Sequence, residues 1–221
     1  MSSTSRGGQR SDADQYMSPP WVVHRLLERT KLPGGRWLEP GAGTGNIIRA
    51  VNEVRQDVKW TAVELDHTFA PQLVSAVGGM DNGTILWSNF IDLSCLPVLK
   101  PDDPPYDVVI GNPPYRLALE FIERSLQVGV VVAMLLRLNF CGTEERHGFF
   151  KKFCPDIFVL PNRPSFRGEG SDSIEYAWYV WRAGARGRLY GRFTVLDLTP
   201  LGVRKAQKPK PMGPVQKGVE P

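Results

Sequence analysis

Three alternate glycines, Gly41, Gly43 and Gly45, follow the apolar run Trp37-Leu38 and precede apolar residues at helical spacing over 47–54. Glycines in a turn permit positive φ and let a ligand approach the backbone closely. The helix start just beyond presents free N–H groups and a positive dipole end. A strand, such a turn and a helix form the opening unit of a sheet with bound ligand at its strand ends. The rest of the chain repeats the alternation. Strands are expected over 36–38, 59–64, 84–87, 106–110, 128–136, 156–160 and 174–181, with a further one over 188–196. Helices are expected over 19–27, 47–54, 70–77, 117–126 and 143–153, the last opened by Thr143 as N-cap. The unbroken apolar run at 128–136 suits a central parallel strand covered on both faces. The expectation is an α/β domain with a mostly parallel sheet.

The domain is expected over residues 15–198. Residues 1–14 carry no Val, Leu, Ile or aromatic side chain and are expected to be disordered, and 199–221 to form a basic, proline-rich mobile tail. The amino end shows no secretory pattern, and the longest apolar stretch is far short of the ~20 residues that span a bilayer. A cytoplasmic location is expected. The net charge of +4 is unevenly placed. Arg182, Arg186, Arg188, Arg192, Arg204, Lys205, Lys208, Lys210 and Lys217 crowd the carboxyl end, as a polyanion-binding segment or a solvated tail would. Cys95, Cys141 and Cys154 lack metal-ligand spacing, so no metal site is expected.

Glu39 opens the glycine turn, and Glu64 ends the next expected strand about twenty residues further on. A carboxylate at that second position can accept both hydroxyls of a ribose; Asp66 is the alternative, and a helix-capping acid the plain structural one. The fourth expected strand runs into Asn112-Pro113-Pro114-Tyr115. Asn112 Oδ1 and the Pro113 carbonyl form an acceptor pair for the two hydrogens of a planar amine, with the prolines fixing the carbonyl's direction. Tyr115 offers a flat face for stacking a base.

These motifs resemble the S-adenosylmethionine-dependent adenine-N6 DNA methyltransferases, in the arrangement where the cofactor region precedes the catalytic one. The segment Tyr16-Met17-Ser18-Pro19-Pro20-Trp21 and the loop Arg163-Pro164-Ser165-Phe166 are similar to flanking parts of that family, and 172–178 to its phage and prophage members. The resemblance implies the class I methyltransferase fold, Rossmann-like, with a mostly parallel seven-stranded sheet and an antiparallel last strand. It implies S-adenosylmethionine as cofactor, held by Ser18, Glu39, Gly41, Gly43, Gly45, Glu64, Asn89 and Phe90. Asn112, Pro113 and Tyr115 are then catalytic, and Phe166 sandwiches a flipped-out base against Tyr115. The implied partner is nucleic acid, double-stranded DNA in the first place. Asn89 stands where the family more often has aspartate, with Asp92 as competitor. About forty residues follow the catalytic core, where such enzymes usually carry a large target-recognition region.

The absence of a Pro-Cys dipeptide excludes cytosine C5 chemistry. Glutamine-N5 methylation of a release-factor type protein shares the tetrapeptide. RNA adenine methylation and a catalytically silent nucleic-acid-binding subunit stay open.

Overall fold

A computed structural model describes residues 17–79, 82–92, 106–166, 173–182 and 191–207. The expected disordered segment 1–14 and the end of the tail lie outside these residues. Among the described residues eight strands form one sheet in the order β3-β2-β1-β4-β5-β7-β6-β8. β1 (Gly35–Pro40), β2 (Val58–Glu64), β3 (Gly83–Trp87), β4 (Tyr106–Gly111) and β5 (Gly129–Arg137) run parallel. β7 (Tyr176–Arg182) lies antiparallel between β5 and β6 (Asp156–Val159), and the three-residue β8 (Phe193–Val195) pairs parallel with β6 at the edge. The expected parallel sheet with its late antiparallel strand is present, with β8 added as an eighth strand.

Alternation along β5 and β7 divides the core between the two faces. Val131, Ala133 and Leu135 of β5, with Tyr176, Trp178 and Val180 of β7, pack against α1 (Pro20–Arg29), α2 (Asn46–Asn52) and α3 (Ala70–Val77). Val132, Met134, Leu136, Ala177, Tyr179 and Trp181 face α4 (Ala118–Val128) and the phenylalanines of α5 (Glu144–Lys152). Both faces of β5 are covered, as its continuous apolar run predicts. Pro20 opens α1 at a position where its missing N–H costs no helical bond. Thr143 precedes α5 with extended backbone, but its hydroxyl accepts from Arg146 Nε at 2.9 Å instead of capping a backbone N–H.

The chain order β1, β2, β3 on one side and β4, β5 on the other makes the β1–β4 junction the point where the sheet's winding reverses. Ligand crevices in such sheets open at that point, at the carboxyl ends of the strands. The loops after β1 and β4, which carry the glycines and the Asn-Pro-Pro-Tyr turn, meet there. No helix among the described residues is long and apolar enough to cross a membrane.

The tail expected to begin at Thr199 starts with anchored residues. Thr199 is buried; its N–H donates to Asn162 Oδ1 at 2.7 Å and its hydroxyl accepts from Arg25 Nε at 3.0 Å. A short helix, α6 (Leu201–Ala206), follows. These contacts join the segment after β8 to α1, which sequence spacing does not reveal.

Trp178 is fully buried, and its Nε1–H donates to the Val22 carbonyl of α1 at 2.9 Å, bridging sheet and helix. Trp178→Phe removes that bond and leaves part of the indole volume empty. We expect a loss of about 2 kcal/mol, read as a lower urea midpoint at unchanged m-value.

Candidate active site

A cleft of about 290 Å³ opens at the carboxyl ends of β1, β2, β3 and β4, near the lower bound of ligand pockets (roughly 300 Å³). Its walls include Ser18, Glu39, Gly41, Gly43, Glu64, Asn89, Phe90 and Asn112, so one space gathers most of the residues expected at the cofactor. Gly43 has φ +53°, and a Cβ built there would meet nothing within 4 Å, so its backbone is open to a ligand. Gly45 does not line the cleft. It adopts φ +76° as the N-cap of α2, where a Cβ would sit 2.5 Å from Ala76 Cβ, so its role is close packing of α2 on α3.

Glu39 lies at the cleft wall with 3% of its surface exposed, and among the described residues its Oε2 has no hydrogen-bond partner. Burial holds its carboxyl well above the usual range; the Ile48 backbone N–H and Arg49 pull it down, and Glu64 pushes it up. A buried oxygen without a partner at a cavity wall is a costly arrangement that a cationic ligand group relieves. Glu64, the last residue of β2, is also buried. Its Oε2 accepts from the Gly43 N–H at 2.6 Å, and its Oε1 from the N–H groups of Leu65 and Asp66, both at 2.8 Å. Three of roughly four carboxylate lone-pair positions are therefore engaged by backbone. Glu64 holds the glycine loop in place and keeps capacity for one ribose hydroxyl rather than two. Asp66 lines the cleft and also caps the 3-10 turn His67–Phe69, accepting from the Thr68 N–H at 2.9 Å. Hydrogen bonds from Thr68 hold its carboxyl below the usual range.

Asn89 is exposed at the rim, and its Oδ1 accepts from the Ile91 N–H at 3.1 Å. Phe90 is buried against Phe121, with ring centroids 5.2 Å apart, and both rings line the cleft. Asp92, the competitor of Asn89, is not among the lining residues.

Asn112 follows β4 and faces the same cleft. Its Nδ2 donates to the buried Ser18 hydroxyl at 3.2 Å, and its Oδ1 accepts from the Tyr115 hydroxyl at 3.4 Å. The amide is thus oriented from both ends, with its nitrogen toward the segment before α1. The Pro114 carbonyl accepts from the Leu117 N–H at 2.9 Å, whereas among the described residues no donor is bonded to the Pro113 carbonyl. Tyr115 is half-buried and does not line the cleft. The Arg137 guanidinium lies over its ring at 4.7 Å, and the ring of Tyr176 is 5.9 Å away. Phe166, 2% exposed, packs edge-on against Tyr176 at 4.9 Å. Tyr115 and Phe166 thus share Tyr176 as a neighbour, and a base between them requires rearrangement of these contacts.

Arg137 and Tyr176 are the residues that sequence reading missed. They are cross-strand partners, Arg137↔Tyr176, at the ends of β5 and β7. A cation ending a wholly apolar strand at the ligand-binding end of the sheet was the available signal. Of the basic residues at the carboxyl end, Arg192 pairs with Asp156, and Arg204 donates to the Thr199 carbonyl. Arg186, Arg188, Lys208, Lys210 and Lys217 lie outside the described residues, as do Cys95 and Tyr16.

No protein-family model matches the chain. A Caenorhabditis elegans protein that carries the name dimethyladenosine transferase is 32% identical over 118 residues, 52% of this chain and 36% of that protein. Ribosomal RNA small subunit methyltransferase A of Thermobifida fusca is 27% identical over 176 residues, 78% of this chain and 56% of that protein. Type II methyltransferase M.XamI of Xanthomonas campestris is 29% identical over 114 residues, 49% of this chain and 21% of that protein. The chain thus spans about half or less of the length of these relatives. Among solved structures, one described as an RNA methyltransferase from Pyrococcus horikoshii superposes with a TM-score of 0.58 at 15% identity, over 81% of this chain and 94% of that one. The fold is the class I, Rossmann-like methyltransferase fold. Methyltransferases of this class use S-adenosylmethionine, which agrees with the expected cofactor. The Gly43 backbone, the unpartnered Glu39 oxygen and the Glu64 position suit a cationic, ribose-bearing ligand.

A carboxyl whose folded pKa lies above its unfolded value contributes stability fully below the unfolded value, and that contribution is lost as pH rises through the folded one. Ligand-free Glu39→Gln therefore melts higher than the parent at neutral pH, by about 2–4 °C for each kcal/mol recovered. It also binds S-adenosylmethionine roughly 10–100-fold more weakly, since a charge partner is gone. In the parent, affinity weakens as pH falls through the raised Glu39 pKa. In the variant calorimetry shows that dependence flattened.

Proposed function

We propose that this chain is an S-adenosylmethionine-dependent methyltransferase acting on the exocyclic N6 amine of adenine in nucleic acid. The observation that carries the reading is the placing of an oriented Asn112 amide in the same cleft as the glycine loop and Glu39. S-adenosylmethionine supplies, when bound, a methyl group on a sulfonium, an electrophile that needs a lone pair in line with it.

The N6 lone pair of adenine is delocalised into the ring and is a poor nucleophile. Asn112 Oδ1 and the Pro113 carbonyl bind the two N6 hydrogens and draw the nitrogen toward tetrahedral geometry, which localises the lone pair. To serve, Asn112 Oδ1 exchanges the Tyr115 hydroxyl, a long contact at 3.4 Å, for the amine. Ser18 holds the Asn112 nitrogen so that the oxygen stays on the acceptor's side. Once N6 is methylated, Asn112 Oδ1 and the Pro113 carbonyl would hold its hydrogens until one proton leaves to solvent. Such preorganised acceptors lower the barrier without reorganising as charge develops.

RNA is the first choice of polymer. The relatives named as a dimethyladenosine transferase and as a ribosomal RNA methyltransferase favour adenine and RNA. DNA is the second reading, favoured by the Asn-Pro-Pro-Tyr turn and by the likeness to a Type II methyltransferase. Incubation with labelled cofactor and separate pools of RNA, duplex DNA and release-factor protein, followed by nucleoside analysis, tests both. Label in N6-methyladenine of RNA is expected, and label in DNA alone promotes the second reading. Label in protein glutamine, or in none of the pools, overturns the proposal.

Two variants test the site. Asn112→Ala lowers transfer by about 100-fold or more while cofactor affinity stays near that of the parent. Ser18→Ala lowers kcat by roughly tenfold through misorientation of Asn112, with little change in cofactor Kd. If Kd rises instead with kcat intact, Ser18 is a cofactor contact and not a positioning residue.

A further inference from the structure

Arg137 ends β5, whose central residues Val131–Leu136 are all buried. By alternation it continues the column Val131, Ala133, Leu135, and it is the only charged member of that column. The column points to the face shared with Tyr176, its cross-strand partner, and the Arg137 guanidinium lies 4.7 Å from the Tyr115 centroid. Tyr115 belongs to the Asn112 turn, and its hydroxyl touches Asn112 Oδ1. The ring with the geometry of a stacking platform thus already has a planar cation on it.

Of the groups against Tyr115, Tyr176 is fully buried within β7, and its movement would disturb the sheet. Arg137 is half-buried, long and at a strand end. Of these two neighbours, Arg137 is the one whose side chain can move without disturbing the sheet. A guanidinium and a nucleobase are both flat and both stack on phenol rings, and the two contacts are of similar size. A base entering alone would therefore gain little by replacing Arg137. A base carried on a strand brings phosphates, and the displaced guanidinium, with its planar fork of donors, pairs with a phosphate oxygen better than a lysine would.

We propose that Arg137 holds the place of the acceptor ring on Tyr115 in the ligand-free protein and, on displacement, pairs with a phosphate beside the target nucleotide. Arg137 is then a specificity-determining residue that favours adenine within a strand over free adenosine. The inference rests on the nucleic-acid reading above.

The test uses the full chain with S-adenosylhomocysteine and two fluorescent probes, free 2-aminopurine riboside and a short single-stranded RNA carrying one 2-aminopurine, with the DNA counterpart in parallel. Arg137→Ala is expected to bind the riboside about 2- to 5-fold more tightly, the size of one exposed cation–π contact. The same variant binds the strand more weakly, and the slope of log K against log salt falls by about 0.7, the value of one phosphate on a single strand. Arg137→Lys keeps the parent's salt slope and shares the tighter riboside binding. It also serves as the check should the alanine variant fold poorly. The opposite signs on the two probes are the signature, because a merely structural loss weakens both. Riboside affinity unchanged or weakened in both variants, or a salt slope unaltered in Arg137→Ala, overturns the proposal. Parent protein that binds and methylates neither RNA nor DNA overturns the nucleic-acid reading itself. Parent protein that does so while the variants behave alike overturns only the role of Arg137.

Discussion

The carboxylate of Glu64 accepts three backbone N–H groups, one from the loop after β1 and two from the loop after its own strand. The Glu64 carbonyl accepts a fourth, from Ser88 at the end of β3, at 2.8 Å. The carboxyl ends of three strands therefore converge on one residue. Hydrogen bonds to an ionised acceptor are roughly twice as strong as neutral ones. Without them the glycine turn would be a flexible loop rather than a wall of the cleft. The Ala42 N–H bonded to the Val63 carbonyl at 3.0 Å reinforces the same junction. What looks from the sequence like a ribose ligand is first of all a structural fastener.

The second half of the site depends on strand order. β1 and β4 are far apart in sequence yet pair directly, Trp37↔Val108 and Leu38↔Val109. That pairing brings the Asn-Pro-Pro-Tyr turn beside the glycine loop. Ser18 comes from a third place, just before α1, and its hydroxyl bonds Asn112 across 94 residues of sequence. α1 is in turn held by the Trp178 bond and by Arg25 contacts to Thr199 and Leu198. Ser18 and Asn112 are thus positioned by elements whose packing is already complete, which is how a side chain is kept within a fraction of an ångström of its place.

The strands and helices could be read from sequence because apolar residues repeat with the periods that burial on one face imposes. The glycine turn and the Asn-Pro-Pro-Tyr turn could be read because few residue types satisfy their backbone geometry. The structure brings Ser18, Glu39, Gly41, Gly43, Glu64, Asn89, Phe90 and Asn112 to one cleft. What resisted reading were partner choices. Ser18 bonds Asn112, Glu64 is engaged by backbone, and Thr143 serves Arg146, all decided by tertiary neighbours that a linear pattern does not specify. Phe166 was legible as an aromatic but not as a buried one, because its burial depends on Tyr176 arriving from another strand. β8 falls within the strand expected over 188–196, but its parallel pairing with β6 at the sheet edge was not legible, because a three-residue strand with Phe193 and Val195 exposed does not specify its neighbour.

Two features of the ligand-free chain are locally unfavourable in different ways, and the difference orders the binding events. Glu39 keeps an unpartnered oxygen in a cleft that is already shaped, so a cationic ligand gains that interaction without moving the walls. Tyr115 is covered by Arg137 and Tyr176, so on the proposed reading an acceptor ring would reach it only by rearranging Arg137. The donor side is therefore preorganised and the acceptor side is not. Binding free energy spent on opening the acceptor side is unavailable for affinity, whereas the donor side loses little to reorganisation. A ligand in the cleft would also lie against Asn112, Pro114 and Leu117, on either side of Tyr115 in the sequence. Filling the cleft thus supports the turn that the acceptor must engage. On the proposed reading, cofactor before acceptor is the order that this asymmetry favours, and discrimination among acceptors would rest on the side that has to open.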